Sequence, residues 1–502
     1  MAGLLAAGIE RLRAAPLRGL LVLLAALTAW RFAALALAAP PLYFDEAQYW
    51  FWAQDLDWGY YSKPPLIAWA IAASTALFGD GMLAVRLPTL LCYPVAALLI
   101  FHATLRLYGE ARTALVAALA YATLPTVSFY SWAATTDALL ILCWALGTYA
   151  LVRIQQRSVG DGERWRDWLL LGAAAGFGAL AKYAMLVFGA SAAAFLLLER
   201  RTALRTAKPW AAVVLAALIM LPNLLWNARL DFPTLRHTAE ISHLDDELMH
   251  FGPLLEFLAS QFLVFGPILM ASLVALLWGL FADRSRAATD PRTRLLLWLG
   301  LPMLGLIVAQ AFLARAFANW AQAAYVPLAI AVVAWLVARE RWTLLKLSFA
   351  LHLGFAAFVY HHGQALTLAG VQAPRALDLT VRMRPWPPAG AAVAELLRAR
   401  PGAALVADER ELLSELAYYA RDAQPVLAAY NPERVVSDHY RLLYDLSKSD
   451  RTRFLIVTRK LTRAELAPRF ERLTELAPIR IAVRSDRSVE LRVFEAERFL
   501  GY

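Results

Sequence analysis

About eleven long apolar runs set the limits on what this chain can fold into. Roughly 20 apolar residues, each rising about 1.5 Å along a helix, cross the ~30 Å hydrocarbon core of a bilayer. Such runs fall near 19–39, 83–106, 112–130, 134–153, 168–181, 183–198, 209–227, 253–281, 294–313, 320–338 and 343–361. With 60% hydrophobic and 18% charged residues among 502, they exclude a soluble globular protein and predict a polytopic α-helical membrane protein.

The loops between these runs alternate sharply in charge. One set carries Arg153, Arg157, Arg164 and Arg166, then Arg200, Arg201, Arg205 and Lys208, then Arg284, Arg286, Arg292 and Arg294. Positive-inside bias makes this set cytoplasmic. The net charge of +10 is therefore mostly a topology signal, and no nucleic-acid partner is expected. The opposite loops hold few cations, chiefly Lys63, Lys182, Arg229, Arg236 and Arg315, and face outward. The same rule divides residues 168–198 into two short helices turning at Lys182, because one long helix puts the arginine-rich 199–208 loop outside. The first run is too long for a cleaved signal peptide and reads as a signal anchor, preceded by an amphipathic helix over 2–16 on the cytoplasmic face. Cys92 and Cys143 lie inside spans and offer neither a disulfide nor a zinc framework.

After about residue 362 the apolar runs shorten and charges intersperse. Tracts at 404–407, 454–458, 479–483 and 489–493 read as strands, and 390–400, 409–420 and 462–475 have helical periodicity. The expected organisation is a transmembrane domain over 1–362 with a first outer loop at 40–82, a proline-marked linker at 363–389, and a small α/β domain at 390–502. Eleven spans and a cytoplasmic N-terminus put that last domain outside the cytoplasm. It carries no Gly-rich phosphate fingerprint.

The chemistry concentrates in the first outer loop. Asp45 and Glu46 stand among Tyr43, Phe44, Tyr49, Trp50, Phe51 and Trp52. Those rings line an interface in any case, but they also desolvate a carboxylate and raise its pKa toward the range of a general base. Lys63 follows Tyr60 and Tyr61 and precedes Pro64-Pro65, which hold the backbone extended. It either snorkels to the headgroups or fixes a lipid phosphate, with the tyrosine hydroxyls as further donors. Asp137 opens the fourth run from outside, as a helix-terminal acid or as part of a cluster with Asp45. Asn319 and Trp320 open the tenth, as cap and anchor or as a sugar or lipid contact. In the loop 228–252, Arg236-His237 and His243 lie near Asp245, Asp246 and Glu247, a solvated loop or a metal site. Asp55-Leu56-Asp57 mimics a nucleotide-sugar DxD signature but lies in an outward loop, where nucleotide sugars are absent.

Asp45-Glu46-Ala47-Gln48-Tyr49, Tyr60-Tyr61-Ser62-Lys63-Pro64-Pro65, Thr136-Asp137-Ala138-Leu139-Leu140, Gly178-Ala179-Leu180-Ala181-Lys182-Tyr183 and Ala318-Asn319-Trp320 occur in a telling order. In that order the chain resembles bacterial protein O-mannosyltransferase-like glycosyltransferases. These are C-type enzymes dependent on polyprenyl-phosphate sugars, and they include the lipid A aminoarabinose transferase. The resemblance covers nearly all of 1–362. It implies transfer of a monosaccharide from a polyprenyl-phosphate carrier to a lipid or cell-envelope glycan, at the periplasmic face of a bacterial inner membrane, by inverting in-line attack.

In that scheme Asp45, or Glu46 beside it, is the base. Lys63, Tyr60, Tyr61, Arg236 and Arg315 bind the phosphate, and Asp137, Lys182, His237 and Asn319 contact sugar or acceptor. Ser62 stands where the aminoarabinose enzymes usually carry an acid before the motif lysine, a departure that weighs against carrying over their sugar and their metal site. No cofactor is required, and a divalent cation remains open. The rival readings are a flippase for polyprenyl-linked sugars, which needs charges near the midplane, and a sensor indifferent to Asp45→Asn.

Overall fold

Within hydrocarbon every backbone polar group must be satisfied inside its own segment, so the apolar runs have little choice but helix. The computed structural model describes residues 15–159, 162–242, 249–282, 290–371, 378–484 and 487–502. The expected helix over 2–16 lies almost wholly outside them, as do His243, Asp245, Asp246 and Glu247.

Among the described residues seven helices are long and apolar enough to cross a membrane: Pro16–Ala38, Met82–Tyr108, Thr136–Gln155, Ala207–Arg229, Pro291–Leu313, Ala318–Ala338 and Trp342–Leu366. An eighth span is counted if the pair Phe251–Val264 and Pro267–Ala282 is taken as one. That pair departs from the continuous run read at 253–281, because it bends by 114° at a break where Gly266 takes φ +86° and Pro267 restarts the helix. The remaining expected runs form shorter helices. Ala111–Ala122 gives way to Pro125–Tyr130, and residues 168–198 form two helices, Trp165–Ala181 and Met185–Glu199, with Lys182 extended between them. Glycine lets the first of these pack closely. A Cβ at Gly172 would come 2.5 Å from the Ala212 carbonyl oxygen, and one at Gly178 would strike Met185 and Cys143.

The described chain divides into two units. One comprises the residues up to Leu37, Pro64–Ile67 and Arg86–His362; the other comprises Ala38–Lys63, Ala68–Val85 and Gly363–Tyr502. The second unit carries a six-stranded sheet: β1 Ala404–Ala407, β2 Leu427–Ala429, β3 Arg453–Thr458, β4 Phe470–Glu475, β5 Ile479–Arg484 and β6 Arg487–Phe499. The order is β2-β1-β3-β6-β4, with β5 also on β6. β1 runs parallel to β2 and β3, and β6 is antiparallel to its neighbours.

Both faces are covered, so β1 is buried along its whole length. Leu405, Ala407, Leu455 and Val457 meet the helices Trp386–Arg398 and Arg410–Tyr419. Val406 and Ile456 meet Tyr430, Leu446, Leu466 and Phe470 on the other side. The helix expected over 462–475 is instead a turn of helix, Arg463–Leu466, followed by β4. Pro468 ends the helix, and β6 is long enough, at 13 residues, to pair with β4 as well as β5.

Candidate functional site

Asp45 and Glu46 lie in the first turn of the Phe44–Gln54 helix, where acids favour the helix dipole. Adjacent residues on a helix point about 100° apart, and here that separates their fates. Glu46 is 1% exposed and accepts the Tyr43 backbone N–H at 3.0 Å, closing the start of the helix. The Asp45 side chain is 39% exposed and lies 3.5 Å from the guanidinium of Arg410, which also covers the Phe44 ring at 4.8 Å. Burial of its surroundings pushes the Asp45 carboxyl up from its ordinary value, with Arg410 and then Lys63 opposing and Glu46 reinforcing. Among the two adjacent acids, Asp45 is the one left open to react.

The rest of the first loop is fastened around it. The Leu42 N–H donates to Tyr419 Oη at 2.7 Å, Trp50 Nε1–H donates to Asp80 at 2.7 Å, and Tyr418 Oη–H donates to the Asp80 carbonyl at 2.8 Å. Tyr60 stacks on Trp52 with centroids 4.5 Å apart, and its hydroxyl donates to the Trp52 carbonyl at 3.0 Å. Tyr61 donates its hydroxyl proton to the Val436 carbonyl at 3.1 Å, and its N–H points at His439 Nδ1 at 3.5 Å. Burial lowers the His439 pKa to about 3, which keeps that ring neutral and able to accept. Both tyrosines expected to supply phosphate donors thus have backbone acceptors in this structure. A reciprocal pair of backbone bonds between Tyr60 and Lys63, at 3.1 and 3.3 Å, makes the tight turn that presents Lys63.

A second cluster lies in the first unit. Lys182 Nζ donates to Asp137 Oδ1 at 2.7 Å, and Asn319 Nδ2 donates to Asp137 Oδ2 at 3.0 Å, so three of the four residues expected to contact sugar or acceptor meet. Asp137 starts one helix, Lys182 ends another, and Asn319 opens the 3-10 turn before Tyr325–Ala338. Next to Lys182, Tyr183 donates its hydroxyl to Asn223 at 2.7 Å and lines an apolar cavity of about 730 Å³ together with Trp168, Phe188, Trp210, Leu224 and Leu235. Arg236 is exposed and paired with Asp231, and His237 lies 3.9 Å from Glu240. Arg315 is exposed over the Phe317 ring at 5.1 Å. No three His, Cys, Asp or Glu side chains come together as a metal site among the described residues.

Three charged residues escape a reading of the sequence. Arg410 starts a helix in the C-terminal region, where no motif marked it. Glu415, one turn further along, is 1% exposed, and burial lifts its carboxyl well above the ordinary range, with Glu411, Glu46 and Asp45 adding to the shift. Arg31 is buried inside the first apolar helix, held by Tyr360 Oη at 3.1 Å and by the Ala122 carbonyl at 2.6 Å. A lone arginine within that run was the available signal.

Comparison with known proteins gives four concordant results. The family model described as dolichyl-phosphate-mannose-protein mannosyltransferase matches residues 62–226. Over 454 residues the chain is 35% identical to the lipid A galacturonosyltransferase RgtD of Rhizobium johnstonii, covering 88% of this chain and 91% of that protein. It is 26% identical to the undecaprenyl phosphate-alpha-4-amino-4-deoxy-L-arabinose arabinosyl transferase of Pectobacterium carotovorum, over 60% of this chain and 54% of that one. In fold it is similar to ArnT from Cupriavidus metallidurans bound to undecaprenyl phosphate, with a TM-score of 0.66, 17% identity, and coverage of 95% of this chain and 98% of that one.

Proposed function

Because the chain belongs to the C-type, polyprenyl-phosphate-sugar-dependent glycosyltransferases, a family of multi-pass membrane enzymes, we propose that it transfers one monosaccharide to a lipid A-type acceptor at the periplasmic face of the inner membrane. The relative matched over most of its length transfers galacturonic acid to lipid A, which makes a polyprenyl-phosphate galacturonoside the first donor to try.

The observation that carries the chemistry is the contrast between Asp45 and Glu46. Asp45 takes the proton from an acceptor hydroxyl as that oxygen attacks the anomeric carbon. The bond from the anomeric carbon to the phosphate oxygen breaks in line, its electron pair leaves with the polyprenyl phosphate, and the configuration inverts. Negative charge grows on that phosphate, so the cation on Lys63 stabilises the transition state more than the ground state. Within the first unit, the Asp137–Lys182–Asn319 cluster offers polar groups for hydroxyls of a sugar or an acceptor, and the apolar cavity beside Tyr183 suits a polyprenyl tail. Eleven spans and a periplasmic C-terminal unit complete the topology.

Mass spectrometry of envelope lipids from cells with and without the protein tests this reading. The expected result is one sugar missing from a lipid in its absence and restored by the wild type but not by Asp45→Asn. An unchanged lipid inventory with lipid-linked sugar stranded in the cytoplasmic leaflet points instead to a flippase.

A further inference from the structure

The parallel strands β2, β1 and β3 end on one side of their sheet, and the loops that follow them enclose a cavity of about 510 Å³. β1 leads into the Arg410–Tyr419 helix, whose Leu412 and Leu416 pack on one face of the sheet. β3 leads into the Arg463–Leu466 turn, whose Leu466 packs on the other. Where neighbouring parallel strands send their connections to opposite faces, a crevice opens at the carboxyl ends, and open α/β sheets bind ligands there. The volume is within the ~300–1,000 Å³ of small-molecule sites.

The lining is polar, and its cations are already engaged. Arg459 bridges Glu409 and Glu411, Lys460 pairs with Glu409 at 2.6 Å, Arg441 reaches Asp438 at 3.5 Å, and Arg410 reaches Asp45. Two acceptors are left over. Asn431, 2% exposed, donates through Nδ2 to Asp445 at 2.9 Å. That bond fixes the orientation of its amide and leaves Oδ1 buried without a partner among the described residues. Asp408 Oδ1 is buried and unpartnered in the same way. A buried acceptor left unmet costs about 1–3 kcal/mol, so both call for donors. The lining holds five carboxylates, on Asp408, Glu409, Glu411, Glu433 and Asp438, against four cations, which disfavours an anion.

We propose that this cavity is a saccharide site, in which hydroxyl or amine protons of a neutral or amine-bearing sugar are donated to Asp408 and Asn431. Resting on the transferase reading, it holds part of the acceptor glycan while another part reaches Asp45. Arg410 lines the cavity and touches Asp45, so it is the residue common to both.

Ligand-detected NMR on the full-length protein in nanodiscs, without donor lipid, tests this with a glucosamine disaccharide as probe and with inorganic phosphate and Ca²⁺ as competitors. The disaccharide is expected to bind, and Asp408→Ala and Asn431→Ala each to weaken it about ten-fold, the effect of losing one strong hydrogen bond. Phosphate and Ca²⁺ are expected not to displace it. If Asp408→Ala fails to fold, Glu433→Lys on the exposed rim carries the test, since added positive charge must repel the amine-bearing probe. Absence of binding to the wild type, equal binding to all variants, or displacement by phosphate or Ca²⁺ overturns the proposal. No turnover enters this measurement, so a wrong transferase reading, seen as absent transfer, stays distinguishable from a wrong saccharide site, seen as absent binding.

Discussion

Asp45 carries the chemical argument at the scale of single residues. A general base in position contributes about 10²–10⁴-fold to rate, so Asp45→Asn is expected to lower transfer by that factor while polyprenyl-phosphate binding persists. The pKa of Asp45 is raised, so if it is the base we propose, kcat/KM is expected to be low below that raised value and to climb as pH increases through it. Arg410 opposes the rise. Arg410→Gln therefore moves this acid limb to higher pH, a shift that a merely structural role for Arg410 would not produce. Glu415 makes a separate stability prediction. Its folded pKa lies above its unfolded one, so the stabilisation it provides is full at low pH and is lost as pH rises through the folded value. Glu415→Gln removes that dependence, and at neutral pH thermal unfolding should move up by about 2–4 °C, as for roughly 1 kcal/mol in a domain of intermediate size. The sequence identified the adjacent acids but had no means to separate them. Only the turn of the helix shows that Glu46 is spent on its own N-terminus while Asp45 is not.

Among the elements, the break at Lys182 matters most. Charge alternation foretold it, because a continuous helix would have carried the arginines of 199–208 to the wrong side. What charge did not foretell is that the broken end brings Lys182 to Asp137 and Asn319. The pair is largely sheltered, with side-chain exposures of 22% and 8%. Removing one partner strands the other, so Asp137→Asn and Lys182→Met should each destabilise the protein by a few kcal/mol, up to about 3–5, and the double variant by less than their sum. Chemical denaturation of all three variants measures the coupling. Two elements differ from the sequence expectation for local reasons: hydrophobicity alone passes over the Gly266-Pro267 break that bends 253–281, and in 462–475 a helical period masks a strand that exists only through its pairing with β6.

For the molecule as a whole, the apolar runs and the first-loop motifs made the membrane fold and the transferase family legible, because both are written in contiguous residues. The part played by the C-terminal unit was not legible. Arg410 reaches Asp45 only through a tertiary contact, and no spacing in the chain encodes that. Topology is tested at Asp450, whose side chain is 93% exposed, whereas the natural thiols Cys92 and Cys143 are buried. In intact spheroplasts, Asp450→Cys should react with a membrane-impermeant maleimide; reaction only after lysis would place the unit in the cytoplasm. The most direct measurement is single-turnover transfer by the purified protein in nanodiscs, from a polyprenyl-phosphate galacturonoside to lipid A, comparing wild type with Asp45→Asn across pH. A glycosylated lipid and free polyprenyl phosphate are expected in equal amounts, with an acid limb that disappears in the variant. Transfer by Asp45→Asn at the wild-type rate and with the same pH profile would contradict Asp45 as the base.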